Sequence, residues 1–388
     1  MSQSFDEISA QLRRRHRKSA RLKWMSMGAL GLAGLFLVLF FADMLVKGLP
    51  AFQQAQIQVE VDYSERAAEL PLAAVQEDVR PLVSRGYLRL IPGRMEDDAG
   101  LLGTTRMEWV LADGQVDQYL KGHHSRLSSG QQAVVDRLVD EGRAELRFNT
   151  TFFTSGDSKM PELAGIAAAA MGTVMTLLVT LAVSFPIGVM TAVYLEEFAP
   201  DNRFTQLIEI NINNLAAIPS ILFGLLGLAI FINFFGVPRS SPVVGGLTLA
   251  LMTLPVIIIA TRTALRSVPD SIRHAAFGVG CSRWQVVRDH VLPLALPGIM
   301  TGSIIGLAQA MGETAPLIIV GMVAFIPDVT ASFNEAATVL PAQIFTWAGE
   351  PDRAFIEKTS GGILVLLAVL ITLNATAVVL RKKFERRW

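Results

Sequence analysis

VVGGLTLALMTLPVIIIA, residues 243–260, runs for 18 positions without a charge, and Arg262 follows almost at once. As a helix rising 1.5 Å per residue it reaches about 27 Å, close to the roughly 30 Å hydrocarbon thickness of a bilayer. Working outward, comparable apolar stretches lie at about Trp24–Val46, Leu163–Leu195, a segment ending near Phe235, Leu296–Ala324 and Gly361–Leu380. Six spans are predicted, and with them an all-α polytopic membrane protein.

Composition agrees. Of 388 residues 51% are hydrophobic and only 18% charged, against about a quarter charged in soluble domains. With 34 basic and 34 acidic residues the net charge is zero, so no bulk attraction to nucleic acid is expected. Cys281 is the single cysteine, which excludes an intrachain disulfide and a zinc site built on several thiolates. The histidines (His16, His123, His124, His274, His290) form no metal-ligand spacing, and His123-His124 reads as a solvated loop. No Gly-x-x-x-x-Gly-Lys-Ser/Thr loop and no nucleophile triad is present, so no catalytic site is expected and work from ATP must enter through a separate subunit. The first apolar run is too long for a signal-peptide core and lacks a small-x-small site after it, so it reads as an anchor that stays.

Basic clusters orient the spans. Residues 1–23 form a basic tail (Arg13, Arg14, Arg15, Arg17, Lys18, Arg21, Lys23), residues 381–388 another (Arg381, Lys382, Lys383, Arg386, Arg387). Arg262, Arg266, Arg273, Arg283 and Arg288 follow the fourth span. The positive-inside rule places all three on the cytoplasmic side of a bacterial inner membrane, as an even number of spans requires. Residues 47–160 then fall outside, as do loops at about 236–242 and 325–360. The segment 47–160 mixes charges with short apolar stretches and predicts a small mixed α/β domain after the first helix, 24–46. Tyr87–Ile91 and Met107–Leu111 read as strands, Asp113-Gly114 as a turn, and Gln131–Val139 as an amphipathic helix.

The polar segment at 262–295 carries the most information about function. Val268-Pro269-Asp270 marks a helix start, where a proline sacrifices no hydrogen bond and an acidic residue favours the positive helix end. A second short helix is expected from Ser282 to Val291, stopping at Leu292-Pro293, with Gly280 as the joint. Taken on composition alone, this is either a re-entry loop between spans or a docking knob. His274-Ala275-Ala276, then Gly280, then Leu292-Pro293 resembles the coupling-helix signature of ABC importer permeases. That family has Glu-Ala-Ala here and seats the loop in a cleft of the ATPase; His274 stands in for the Glu, and His290 for a usually aliphatic residue. Asn214-Leu215-Ala216-Ala217-Ile218-Pro219-Ser220, Arg266–Arg273 and Gly312-Glu313-Thr314-Ala315-Pro316 are similar to the A-type permease subunit of the phosphate-specific importer.

The resemblance covers about residues 163–380 and leaves 47–160 as a large insertion. It implies a permease domain at 161–380 forming half of a translocation pathway. The partners it implies are a second, homologous permease subunit, two ATPase subunits that use ATP and Mg, a phosphate-binding protein and the lipid bilayer. It implies no cofactor on this chain. Within the spans, Gln309 and Glu313 are four residues apart and would share a helix face. A buried carboxylate calls for a protein interior or a wet pathway, so Glu313 is a gating candidate or a structural carboxylate. Relatives often have a basic residue in place of Gln309. Arg262 and Arg266 are candidate phosphate-guiding charges, Arg262 equally an interface anchor, and Asn214 beside Pro219 belongs to a bent helix that lines the route or packs. Two other readings stay open: a permease for another solute, and a signalling or scaffold protein that senses through 47–160.

Overall fold

The computed structural model describes residues 5–329 and 331–384. Residues 385–388, with Arg386 and Arg387 of the expected closing tail, lie outside the described residues, as do residues 1–4 and Thr330. Helix α1, Phe5–Gly48, spans 44 residues. The basic segment expected as a tail is therefore helical from Phe5. Its Arg, Lys, Leu and Ala residues are good helix formers without Pro or Gly, and the apolar span supplies the nucleus they extend.

The inserted domain follows. Strands β1 (Gln53–Asp62), β2 (Thr105–Leu111) and β3 (Ala144–Phe148) form an antiparallel sheet in the order β2-β1-β3. Gln58 pairs with Trp109 on one side of β1, and Ala55 with Leu146 on the other. Ala55, Ile57, Val59 and Val61 alternate into the core, as period-two patterning requires. Helix α2 (Arg85–Asp97) replaces the strand expected at Tyr87–Ile91. Ser84 caps it by accepting from the Tyr87 amide, and Leu88, Ile91 and Met95 are buried at helical spacing. A five-residue window was too short to separate the two periods. Asp113 likewise caps a helix, α3 (Gly114–Leu120), where a turn was expected. Helix α4 (Ser129–Asp140) opens with a capping box of Ser128 and Gln131.

Among the described residues five helices are long and apolar enough to cross a membrane, and one helix pair bent by 107° makes a sixth candidate span. Helix α5 (Ala167–Val193) continues through a wide turn to Phe198. Helices α6 (Arg203–Ala216) and α7 (Ser220–Leu226, extended to Phe234) form the bent pair, with the break at Ile218-Pro219. Helix α8 (Pro242–Arg266) is the central element, packed between α5 and the later α10. Glycines bring α8 onto α5: a Cβ on Gly246 would sit 2.4 Å from Val179, and Thr180 donates to the Gly246 carbonyl at 3.2 Å.

Helix α9 (Asp270–Gly278) precedes α10 (Leu292–Gly312), and α11 (Ala315–Ile319) is a separate short helix. The span expected at 296–324 is thus broken after Gly312. Glu313 turns the chain out of the helix with ψ 127°, and Pro316 beyond it lacks the N–H that would bond the Gly312 carbonyl. The region expected as a loop at 325–360 contains α12 (Leu340–Ala348), whose Trp347 is buried against Phe152 and Phe355. The last helix, α13, is Ala354–Phe384.

The contact of α5 with the 337–340 segment gives a direct test of packing. A Cβ on Gly172 would stand 2.0 Å from the Thr338 carbonyl oxygen, and Leu340 N donates to Thr173 beside it. Gly172→Ala is expected to destabilise the membrane part by about 1–3 kcal/mol. Gly130→Ala, in helix α4 with nothing within 4 Å, is the control, expected to be unchanged or stabilised by up to about 1 kcal/mol. Thermal melting of the two purified variants should separate them; equal melting would show that this contact yields freely.

Candidate functional site

The segment between α8 and α10 is built as two helical pieces on one apolar floor. Asp270 sits in the first turn of α9 and Pro269 is its N-cap. Gly280 has φ +87°, a conformation that favours glycine and turns the chain into the next piece. Ser282 and Gln285 close a capping box there. The helix from Arg283 then runs without a stop into α10, so Leu292-Pro293 does not end it as expected. A wide turn over Val286–Val291 absorbs the missing proline N–H, the usual way a helix accommodates such a defect.

Ala276, Val286 and Val291 face inward against Leu265, Val268 and Ile299. The outer side is uncovered: His274 and Ala275 are exposed, Phe277 is 47%, Trp284 57% and Val279 80% accessible. Three large apolar side chains on a short, rigid, solvent-facing element mark an interaction surface.

Behind this surface lies a set of ion pairs. Arg262 reaches Glu196 at 3.1 Å and Glu209 at 2.7 Å, and Arg266 reaches Glu196 at 2.7 Å. Arg273 donates to Glu197 at 2.7 Å and to the carbonyls of Val268 and Leu265 at 2.7 and 2.9 Å. Arg262 therefore braces α8 against both α5 and α6, its charge matched by two carboxylates, while Arg266 stays mostly exposed. In the sequence Glu196-Glu197 directly follows an apolar run, and Glu209 carries no pattern of its own.

The two motifs around Pro219 and Glu313 meet. A Cβ on Gly224 would lie 2.8 Å from Pro316 Cα, so α7 and α11 touch backbone to backbone. Glu313 is the C-cap of α10 (φ −76°, ψ 127°) and half-buried, four residues after Gln309, which is exposed. Gly312 is exposed, Thr314 half-buried and Asn214 exposed. Among the described residues Glu313 has no ion pair or hydrogen-bonded side-chain partner within the chain. No group of three or more His, Cys, Asp or Glu among the described residues could hold a metal.

A second polar cluster joins the inserted domain to α13. Lys121 bridges Asp117 at 2.6 Å and Glu357 at 3.0 Å. Gln118 donates to Glu357 at 2.7 Å, and His123 Nδ1 stands 2.9 Å from the same oxygen, so His123 belongs to this joint while His124 is exposed. Lys358 is buried, donates to the Ala164 carbonyl at 3.1 Å and lies over the Phe152 ring. Burial pushes the Asp117 carboxyl above its ordinary range, against the pull of Lys121. Glu162, also raised by burial, accepts from Ser84 at 2.7 Å and from Gln54 through its backbone carbonyl.

A polytopic helical membrane domain that displays a rigid, apolar-faced helix pair between two spans has the form of a transporter subunit driven through that segment. Residues 184–388 match the family described as binding-protein-dependent transport system inner membrane component, and the chain belongs to it. It is an ABC-importer permease subunit, part of a translocation pathway coupled to an ATPase. Residues 9–92 match a domain of unknown function, DUF3333, which takes in most of α1 and the start of the inserted domain. The chain is 32% identical over 224 residues to the phosphate transport system permease protein PstA 1 of Mycobacterium tuberculosis, covering 58% of this chain and 72% of that one. It is 29% identical over 253 residues to the probable ABC transporter permease protein YqgI of Bacillus subtilis, covering 61% and 85%. A solved inward-facing MetNI methionine ABC transporter aligns with TM-score 0.45 at 18% identity, covering 57% of this chain and 96% of that one.

Proposed function

We propose that the chain is one of two membrane halves of an ATP-driven phosphate importer. The uncovered apolar face of Phe277, Val279 and Trp284, on a segment tied by Arg273 to the membrane helices, carries this reading. It offers an ATPase subunit a surface whose displacement reaches α5 and α8 directly. Phosphate follows from the similarity to phosphate permeases over the membrane part. In this scheme both termini and the coupling segment are cytoplasmic and the inserted domain faces outward, toward a phosphate-binding protein. A second permease subunit supplies the other half of the pathway.

Reconstitution with the products of neighbouring reading frames tests the substrate. Radiolabelled phosphate should accumulate in an ATP-dependent way, and other oxyanions should not. Accumulation of a different solute instead of phosphate would leave an ABC permease of other specificity. Glu313, unpaired within its own chain, is proposed to face the pathway or the partner subunit. Glu313→Gln is expected to lower flux at least about tenfold, within the usual range of coupling energies, while the complex still assembles. Wild-type flux in that variant would exclude a gating role.

A further inference from the structure

A groove of about 560 Å³ opens between the end of α1 and the start of α13, on the side of the inserted domain. Its wall includes Val46, Lys47, His123, Arg353, Ile356 and Glu357. That size lies within the range of small-ligand sites.

The depth of the groove is set by the sequence. The apolar run of α1 ends at Val46 and Lys47 follows; in α13 the uncharged run begins after Lys358, less than one turn from Ile356. Gly48 packs directly on Ser360 and Leu364, which holds the two helices at this level. The groove therefore sits where a membrane core gives way to headgroups.

Its chemistry has two halves. Val46 and Ile356 are 74% and 53% accessible, apolar surface turned outward at the edge of the hydrocarbon. Arg353 is exposed and forms no ion pair among the described residues. Lys47 pairs with Asp43 at 2.8 Å, but both are about half exposed, and such a pair exchanges partners at little cost. Glu357 is the one carboxylate on the wall, and its oxygens are already engaged by Gln118 and Lys121. The groove thus presents cations toward water and apolar side chains toward lipid.

We propose that this groove binds a glycerophospholipid with an anionic headgroup. Its phosphate would sit at Arg353 and Lys47, and its glycerol and upper acyl chain against Val46 and Ile356. Free phosphate would use the cations alone and leave the apolar wall unfilled. Since Glu357 and His123 form the floor, an occupied groove covers the joint that holds the inserted domain to α13. The proposal rests on the membrane placement of α1 and α13 and is independent of which solute is transported.

The test uses the full chain purified in mild detergent, with native mass spectrometry after exposure to phosphatidylglycerol or to phosphatidylcholine of the same acyl chains. One phosphatidylglycerol should be retained in preference to phosphatidylcholine. Lys47→Ala with Arg353→Ala, both exposed positions, should weaken that retention about tenfold or more, at roughly 1 kcal/mol for each basic residue near a membrane surface. Ile356→Ser should weaken it as well. A photoactivatable phosphatidylglycerol should label peptides at 44–50 and 351–357 in the unaltered chain, which keeps the test independent of the variants. Equal retention of the two lipids, or unchanged retention in the double variant, would overturn the proposal. So would one-for-one displacement of the lipid by excess inorganic phosphate whose own binding ignores Ile356→Ser, because the site would then be a plain anion site.

Discussion

Lys121→Met is expected to open the joint between the inserted domain and the last membrane helix by about 3–5 kcal/mol, the cost of breaking a buried ion pair from one side. The Lys121 side chain is 6% exposed and touches Asp117 and Glu357, themselves 14% and 9% exposed. Its removal leaves two carboxylates in a setting that already pushes the Asp117 carboxyl upward. Gln118 donates to only one oxygen of Glu357, so no other side-chain hydrogen bond replaces the lost ammonium at the other. Amide exchange over β1 and α3 should accelerate by about two to four orders of magnitude if that local opening exposes them. Glu357→Gln added to Lys121→Met should restore part of the protection, since it removes one of the stranded charges. The two changes should therefore depart from additivity by more than about 1 kcal/mol. Unchanged exchange, or strict additivity, would mean that the domain is held by its apolar contacts alone.

That joint also shows where reading the chain stops. Lys121 and Glu357 are 236 residues apart, and neither has a local pattern that points to the other. A Glu-Lys pair at the start of an apolar helix reads as an ordinary interface anchor until the fold brings a domain down upon it. The apolar spans were legible because length and lack of charge are properties of one segment. In the segment between α8 and α10 the turn at Gly280 and the helix starts were legible because they are local. The break after Gly312 is hidden from a hydropathy reading because apolar residues continue on both sides of it. Tyr87–Ile91 failed for a related reason: strand and helix periods differ little over five residues. For Arg262, expected to guide phosphate or to anchor at the interface, the partners Glu196 and Glu209 could not be foreseen because they come from two other helices.

Arg273→Ala is expected to separate ATP hydrolysis from transport. Arg273 ties the segment between α8 and α10 to the membrane helices, being 16% exposed and bonded at once to Glu197, to the Leu265 carbonyl at the end of α8 and to the Val268 carbonyl in the turn. Each charge-assisted bond of this kind contributes about 1.5–3 kcal/mol, and its loss also strands Glu197, which is 10% exposed. The apolar floor of Ala276, Val286 and Val291 remains, so the segment should still fold and still offer Phe277, Val279 and Trp284 to a partner. What weakens is the stiffness with which a push on α9 reaches α5 and α8. If the proposed importer is driven through this segment, flux in the reconstituted complex should fall about tenfold or more while subunit assembly and basal ATP hydrolysis persist. Arg273→Lys keeps the charge but cannot reach Glu197 and two carbonyls in one planar fork, so it should fall between the two. A drop in assembly to match the drop in flux would instead make Arg273 a purely structural residue. Full flux in Arg273→Ala would show that the force travels by the apolar floor, with the ion pairs behind it serving only to hold the helix ends together.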